Sequence, residues 1–540
     1  MATVKNALFL GLLFFSIQSQ AECCHTPRPI IQTESGKLQG KHVRGLWVFR
    51  GIPYAAPPIG DRRWKEPADP ESWGDSILQA TKPGSVCVQA KTSPKPRIIG
   101  SEDCLQLDVW SPKLDGNLPV MVFIHGGGFI SGSNEENVIF GNLYNGTSLV
   151  KRGDVLVVTI KYRLGAFGFL AHPDLSSKSL DGVSGNYGIL DQIAALTWVQ
   201  KNIRAFGGDP SRVTVFGESA GAASTLILMS SPKAKGLFSQ AIVESGYMTP
   251  ETKDQAYDVG RKLSDQLKCT GAETIQCMRA VPATSLALAT SALFNDATDP
   301  FLPYPDGKVL PRPVLETFQK GLQNKVPFIL GTNSNEASDL IQQFYSKKVR
   351  TDEELGAAVT ASQGESFWNA VKESYSSQNY GTAEQALIQL VTDLVFTCPG
   401  RQILKTVQGY SAWQYLFSRV SHSIFVHHYG AGHALELPYV FHFVPAGPLL
   451  FGYTRAERHL SDTIEDYWTR FATSGNPNDK GYSKIVHTIW PTYDRATAQY
   501  LNLDAPHFDM PLESGNSFRA NRCNVIDQAP RNPGSNFLKN

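Results

Sequence analysis

Five short stretches, 119–124, 155–160, 213–216, 240–243 and 326–330, are apolar without alternation. They are rich in Val and Ile and bounded by Gly, Pro or Asn, which predicts strands. A strand with one wet face alternates apolar and polar residues. These do not, so both faces are predicted to be covered. Segment 189–203 (ILDQIAALTWVQKNI) spaces its apolar residues to suit a helix lying on a sheet. Strand and helix taking turns in this way predicts an α/β fold, a large, mostly parallel central sheet with crossover helices on both faces. Ligands of such sheets sit at the carboxyl ends of the strands. Stretches 250–320 and 340–400 are helical and loop-rich in pattern, excursions able to cover such a site. No repeat or low-complexity linker interrupts the chain, so 22–540 is expected to form one domain.

The apolar run at 7–16 (ALFLGLLFFS) is of another kind. Lys5 precedes it and Ser19-Gln20-Ala21 follows, the layout of a secretory signal peptide over 1–21. The run is too short for a membrane span, and no later segment reaches the ~18 uninterrupted apolar residues that a span needs. The expectation is a secreted protein without a stable membrane anchor. Export permits disulfides, and the eight cysteines are Cys23, Cys24, Cys87, Cys104, Cys269, Cys277, Cys398 and Cys523. None stands in a CxxC pair, so a metal site is not expected; spacing alone leaves the pairing open. Lys+Arg 50 against Asp+Glu 49 gives a net charge of +1, which argues against a nucleic-acid partner. With 42% hydrophobic residues the chain can bury a large core and is neither disordered nor fibrous.

Chemistry enters at Gly217-Glu218-Ser219-Ala220-Gly221, a G-x-S-x-G directly after the strand-like VTVF and before the helical AASTLILM. The motif requires that strand-to-helix context. A sharp turn there forces the central residue into a strained conformation and holds its oxygen out of the sheet, near a helix N-terminus that favours negative charge. His125-Gly126-Gly127-Gly128-Phe129 ends the strand PVMVFI. Its glycines let backbone N–H groups approach a reacting carbonyl, so Gly127, Gly128 and Ala220 are the candidate oxyanion donors. No P-loop Lys follows them, which disfavours a nucleotide site.

A serine hydroxyl needs a base, and the base needs an acid to orient it. In the α/β-hydrolase order the acid follows the serine and the histidine comes last. Glu336 lies in a loop just past the strand-like VPFIL. Of the later histidines, His433 in Gly430-Ala431-Gly432-His433-Ala434 stands out, with His427 and His428 as its competitors.

Taken together, these motifs resemble the type-B carboxylesterase and cholinesterase family of α/β-hydrolases. The likeness runs from Phe49-Arg50-Gly51-Ile52-Pro53-Tyr54-Ala55 through Glu102-Asp103-Cys104-Leu105 and Phe206-Gly207-Gly208-Asp209-Pro210 to Phe471-Ala472-Thr473-Ser474-Gly475-Asn476-Pro477. The resemblance implies Ser219 as nucleophile, Glu336 as acid and His433 as base, with the amides of Gly127, Gly128 and Ala220 as oxyanion hole. It further implies the pairs Cys87–Cys104, Cys269–Cys277 and Cys398–Cys523, no cofactor, and a small-molecule ester as partner. Cys23 and Cys24 stand outside its pattern.

One departure bears on substrate. Cholinesterases carry an aromatic residue in the first disulfide loop to hold a quaternary ammonium by cation–π attraction. Between Cys87 and Cys104 this chain has no Trp, Tyr or Phe, but Lys91, Lys95 and Arg97. Choline esters are therefore not expected. The basic residues are either a solvated face or an attraction for acidic, polycarboxylate esters such as those of fumonisin. The alternatives to this reading are a lipase acting at lipid interfaces and a non-catalytic, cholinesterase-like adhesion domain. Asn145-Gly146-Thr147 is a glycosylation sequon.

Overall fold

The computed structural model describes residues 28–530 except 92–96, 136, 139–140, 247–251, 296–300, 345–347, 424–425, 445–452, 481–487, 506 and 508–510. The signal peptide expected at 1–21, Cys23, Cys24 and Lys95 lie outside the described residues.

Eleven strands form the central sheet: β1 (Lys41–Val43), β2 (Leu46–Pro53), β3 (Gln106–Ser111), β4 (Leu118–Ile124), β5 (Leu156–Ile160), β6 (Gly208–Glu218), β7 (Gln240–Glu244), β8 (Phe328–Asn333), β9 (Ala412–Phe417), β10 (Tyr500–Leu503) and β11 (Glu513–Gly515). Their spatial order is β1-β2-β3-β5-β4-β6-β7-β8-β9-β10-β11. From β5 through β10 every pairing is parallel. At the flanks the pairings turn antiparallel. All five predicted strands are present. The last starts at Phe328 rather than 326, because Pro327 has no N–H to give to a ladder.

Strands β4, β5, β7, β8 and β9 are buried at every position. Two apolar clusters share them by alternation. Val120, Val122 and Ile124 point into one, with Leu156, Val158 and Ile160. Met121 and Phe123 point into the other, with Val157, Phe216 and Ile242. Both faces being covered is the physical reason that these strands show no polar alternation.

The helices that matter for the site are α1 (Thr147–Gly153), α2 (Tyr187–Asn202), α3 (Ala220–Ser230), α4 (Cys398–Leu404), α5 (Leu437–Val440), α6 (Arg455–Ser474) and α7 (Ala520–Gln528). The predicted helix at 189–203 is α2, whose last turn passes into a 3-10 turn at Ile203–Phe206. Within 250–320 and 340–400 the chain is helical as expected; the second stretch packs around its own apolar cluster. Disulfides join Cys87 to Cys104, Cys269 to Cys277 and Cys398 to Cys523. Among the described residues no helix is long and apolar enough to cross a membrane.

Candidate active site

Ser219 stands between the last residue of β6 and the first of α3 with φ 56° and ψ −121°. A non-glycine residue in that region costs of order 1–3 kcal/mol, held only by over-determined surroundings. The surroundings are tight. A Cβ on Gly221 would lie 2.0 Å from the Ile124 carbonyl oxygen, and one on Gly217 would lie 2.6 Å from that same oxygen. Both positions therefore require glycine. The Ser219 amide donates to the Glu244 carbonyl at 3.0 Å, continuing the β6–β7 ladder into the turn.

The glycine loop beside it is fixed by its own glycines and by His125. Gly127 and Gly128 have φ of 106° and 62°. Ile130 and Ser131 both donate to the Gly127 carbonyl, at 3.1 and 3.0 Å, which curls the loop. His125 is buried, stacks on Tyr162 with centroids 4.5 Å apart, and its Nδ1 meets the Gly126 carbonyl at 2.8 Å. Burial pushes its pKa down to about 4, so the ring is neutral and Nδ1–H donates. Gln89, from the first disulfide loop, brackets Gly132 with two hydrogen bonds of 2.8 and 2.9 Å. Among the described residues the amides of Gly127, Gly128 and Ala220 have no acceptor. Ala220 opens a helix of eleven residues, where free N–H groups favour negative charge.

Glu336 is fully buried past the end of β8. Its Oε1 accepts the Asn333 amide at 2.6 Å and its Oε2 faces His433 Nδ1 at 2.8 Å. The two loops are laced together. Asn335 donates its amide to the Ala431 carbonyl, Ser338 its hydroxyl to the Tyr429 carbonyl, and Asn333 its side chain to the Gly432 carbonyl. His427 and His428 are exposed; the His427 ring is turned to the Ser421 carbonyl.

The other ring nitrogen of His433, Nε2, lies 3.2 Å from Glu218 Oε1. Among the described residues no hydrogen bond joins the ring to the Ser219 hydroxyl. A Cβ built on Gly126 would lie 2.8 Å from Glu218 Oε2 and 3.1 Å from Ser219 Cβ, so Ser219 and the Glu218 carboxylate flank one spot. Catalytic hydrogen bonds without substrate are often long and tighten in the reacting complex. Burial raises the Glu218 carboxyl to about 8, although the imidazolium opposes this; Glu436, Glu336 and Asp339 add to the rise. Burial alone would lower His433, but Glu218 and Glu336 outweigh it and carry the ring up to about 10. The buried pair thus retains a proton between them more strongly than either group would alone.

Glu436, buried and raised to about 7 by burial and by Glu336, and Phe396, whose ring centroid is 5.0 Å from that of His433, complete the surroundings. Sequence reasoning did not find either, nor the contact of Glu218 with His433. A lone carboxylate or phenylalanine carries no local signal of such a neighbour. In the first disulfide loop Lys91 and Arg97 are exposed and face each other across a two-stranded ribbon, while Glu102 is held by the Arg63 guanidinium at 2.6 and 2.7 Å.

Residues 27–526 match the model of the carboxylesterase family. The para-nitrobenzyl esterase of Bacillus subtilis is 36% identical over 496 residues, covering 88% of this chain and 95% of that protein. The fumonisin B1 esterase of Sphingopyxis macrogoltabida is 35% identical over 521 residues, 92% and 89% of the two chains. Among solved structures, carboxylesterase EST55 of Geobacillus stearothermophilus superposes with a TM-score of 0.80 at 32% identity, over 92% of this chain and all of that one. With a family model spanning nearly the whole chain and relatives matched end to end, the chain belongs to the carboxylesterase family, the carboxylic ester hydrolases of α/β-hydrolase fold.

Proposed function

We propose that the chain is a secreted serine carboxylesterase that works through a Ser219-His433-Glu336 triad and an acyl-enzyme. The observation that carries this reading is the strained Ser219 beside unpartnered loop amides, with the buried Glu336 orienting His433 at 2.8 Å. His433 takes the Ser219 proton as the oxygen attacks the ester carbonyl. The oxyanion is received by the amides of Gly127, Gly128 and Ala220, each such donor contributing about 3–4 kcal/mol. The imidazolium, stabilised by Glu336, then gives its proton to the leaving alcohol, and a water activated by the same ring releases the acid. Ser219→Ala should fold and be exported normally yet lose turnover by several orders of magnitude on para-nitrophenyl acetate. Near-normal hydrolysis by that variant would remove Ser219 from the mechanism. A serine-directed phosphonate should label the wild type and not the variant; a non-catalytic adhesion domain would take no label.

Choline esters should be poor substrates, since the loop between Cys87 and Cys104 lacks an aromatic residue. A second reading, hydrolysis of polycarboxylate esters, is favoured by the exposed Lys91 and Arg97 and by the likeness to a fumonisin B1 esterase. A panel of choline, short aliphatic, aromatic and tricarballylic esters separates the readings. A higher kcat/KM for the choline ester would overturn the first, and an unchanged rate on the tricarballylic ester in Lys91→Ala/Arg97→Ala the second.

A further inference from the structure

Away from this site, one cluster has ligand chemistry that ester hydrolysis does not use. His442 lies in the turn after α5 and faces Asp462 and Glu465 on α6. His442 Nδ1 is 3.5 Å from Asp462 Oδ1 and 3.3 Å from Glu465 Oε2, and the ligand atoms of all three fall within 4.8 Å of one another. The i, i+3 spacing sets both carboxylates on one face of the helix.

We propose that His442, Asp462 and Glu465 bind a divalent metal ion of the zinc type, fastening the turn after α5 to α6.

Three observations carry the proposal. A tetrahedral ion with bonds of about 2.0–2.2 Å to N and O sets its ligand atoms roughly 3.3–3.5 Å apart, which is the spacing of His442 Nδ1 from both carboxylates. One imidazole, two carboxylates and a water is a donor set that such an ion accepts. Glu465 is 1% exposed, and while its Oε2 accepts the Ser148 hydroxyl at 3.0 Å, its Oε1 is buried without a hydrogen-bond partner. A buried carboxylate oxygen without a partner is costly; burial raises the Glu465 carboxyl, and either a proton or a cation relieves it.

His442 pairs with Oε2 and Arg152 attracts the Glu465 charge through space, yet Oε1 keeps no hydrogen-bond partner. Arg152 donates to Asp462 Oδ1 at 2.9 Å and to Asp466 at 2.5 and 3.0 Å, so its hydrogen bonds go to the neighbours of Glu465 and an ion would share Oδ1 with it. His442 Nδ1 also lies 3.1 Å from the Ser461 hydroxyl, a contact that an ion would replace. His442 and Asp462 are 30% and 33% exposed, which gives an ion its entry path. Because His433 and Glu436 lie just upstream of this turn, an ion here would anchor the segment that carries the base.

The test uses the full chain, stripped of metal by chelation and titrated with zinc chloride in calorimetry and in thermal melts. One equivalent should bind and raise the Tm. His442→Gln and Asp462→Asn, both at partly exposed positions, should weaken binding at least tenfold and leave para-nitrophenyl acetate hydrolysis unchanged. His433→Ala should bind zinc as the wild type does, separating this site from the active-site imidazole. Cobalt(II) in the wild type should give the visible bands of a tetrahedral centre, absent in His442→Gln. Failure of the wild type to bind zinc, or equal binding by both substituted chains, would overturn the site and leave a His442–carboxylate ion pair.

Discussion

Glycine and serine in the elbow have opposite tasks: Gly217 and Gly221 yield space, and Ser219 is held in strain. Gly221→Ala forces a Cβ against the Ile124 carbonyl, with backbone on both sides and nothing flexible to yield. It should lower the unfolding free energy by about 1–3 kcal/mol or more, read from denaturant melts. Glu218 acts on its neighbour by charge. While its carboxylate faces His433 Nε2 it favours the imidazolium, so the ring sheds its proton at higher pH. In the proposed mechanism His433 must be neutral to accept a proton, so activity should be lost as pH falls through the ring's pKa. Glu218→Gln removes that charge and should move the acidic limb of the kcat/KM profile to lower pH. A limb that stays in position, or moves up, would mean that Glu218 does not set the proton affinity of the base.

At the scale of elements, the site is a junction of chain segments. Strand β6 delivers Ser219, β4 the glycine loop, β8 Glu336, and the loop before α5 the His433 imidazole. Behind that ring the helix leading into α4 relaxes to π geometry at Asp393–Thr397, the segment that presents Phe396. An aromatic pair of this kind contributes about 0.5–1.5 kcal/mol. If it steadies the ring for proton transfer, Phe396→Ala should cut kcat about 2- to 10-fold with little change in KM. Helix α6 starts on a capping box, Thr454 with Glu457. Glu457 also accepts from the Tyr439 hydroxyl and the His422 amide, so the cap ties α6 to the segment around α5. Thr454→Ala should cost about 1 kcal/mol in stability and spare the chemistry.

For the whole molecule, the C-terminal helix α7 is bound back over the helical stretch that carries Phe396. Cys523 joins Cys398 across 125 residues, and Arg519 donates to Asp393 and to the Ser334 carbonyl, two residues before Glu336. In the chain-entropy model a loop of that length stabilises by about 4–5 kcal/mol. Cys398→Ala/Cys523→Ala should lower the denaturant midpoint. Antiparallel strands at both flanks of the sheet were not expected. Their segments, such as 46–53 and 106–111, carry Arg50, Gln106 and Asp108 among their apolar residues and so lack the continuous signal of the central strands.

What the sequence determined by itself is local. Unbroken Val- and Ile-rich runs mark strands covered on both faces, and glycines at 126, 127, 217 and 221 mark places where backbones approach too closely for a Cβ. Both are residue types in a fixed order along the chain, legible locally even where, as at Gly217 and Gly221, the backbone they make room for is that of distant Ile124. Which side chains meet was decided by the tertiary structure. His433 was one of three histidines in a ten-residue stretch until packing turned it to Glu336, 97 residues away, and to Glu218. The same holds for Phe396, Glu436 and the group at His442. A carboxylate or an imidazole has the same composition whether it faces water or a partner, and its proton affinity and ligand chemistry arise only when the fold removes the water.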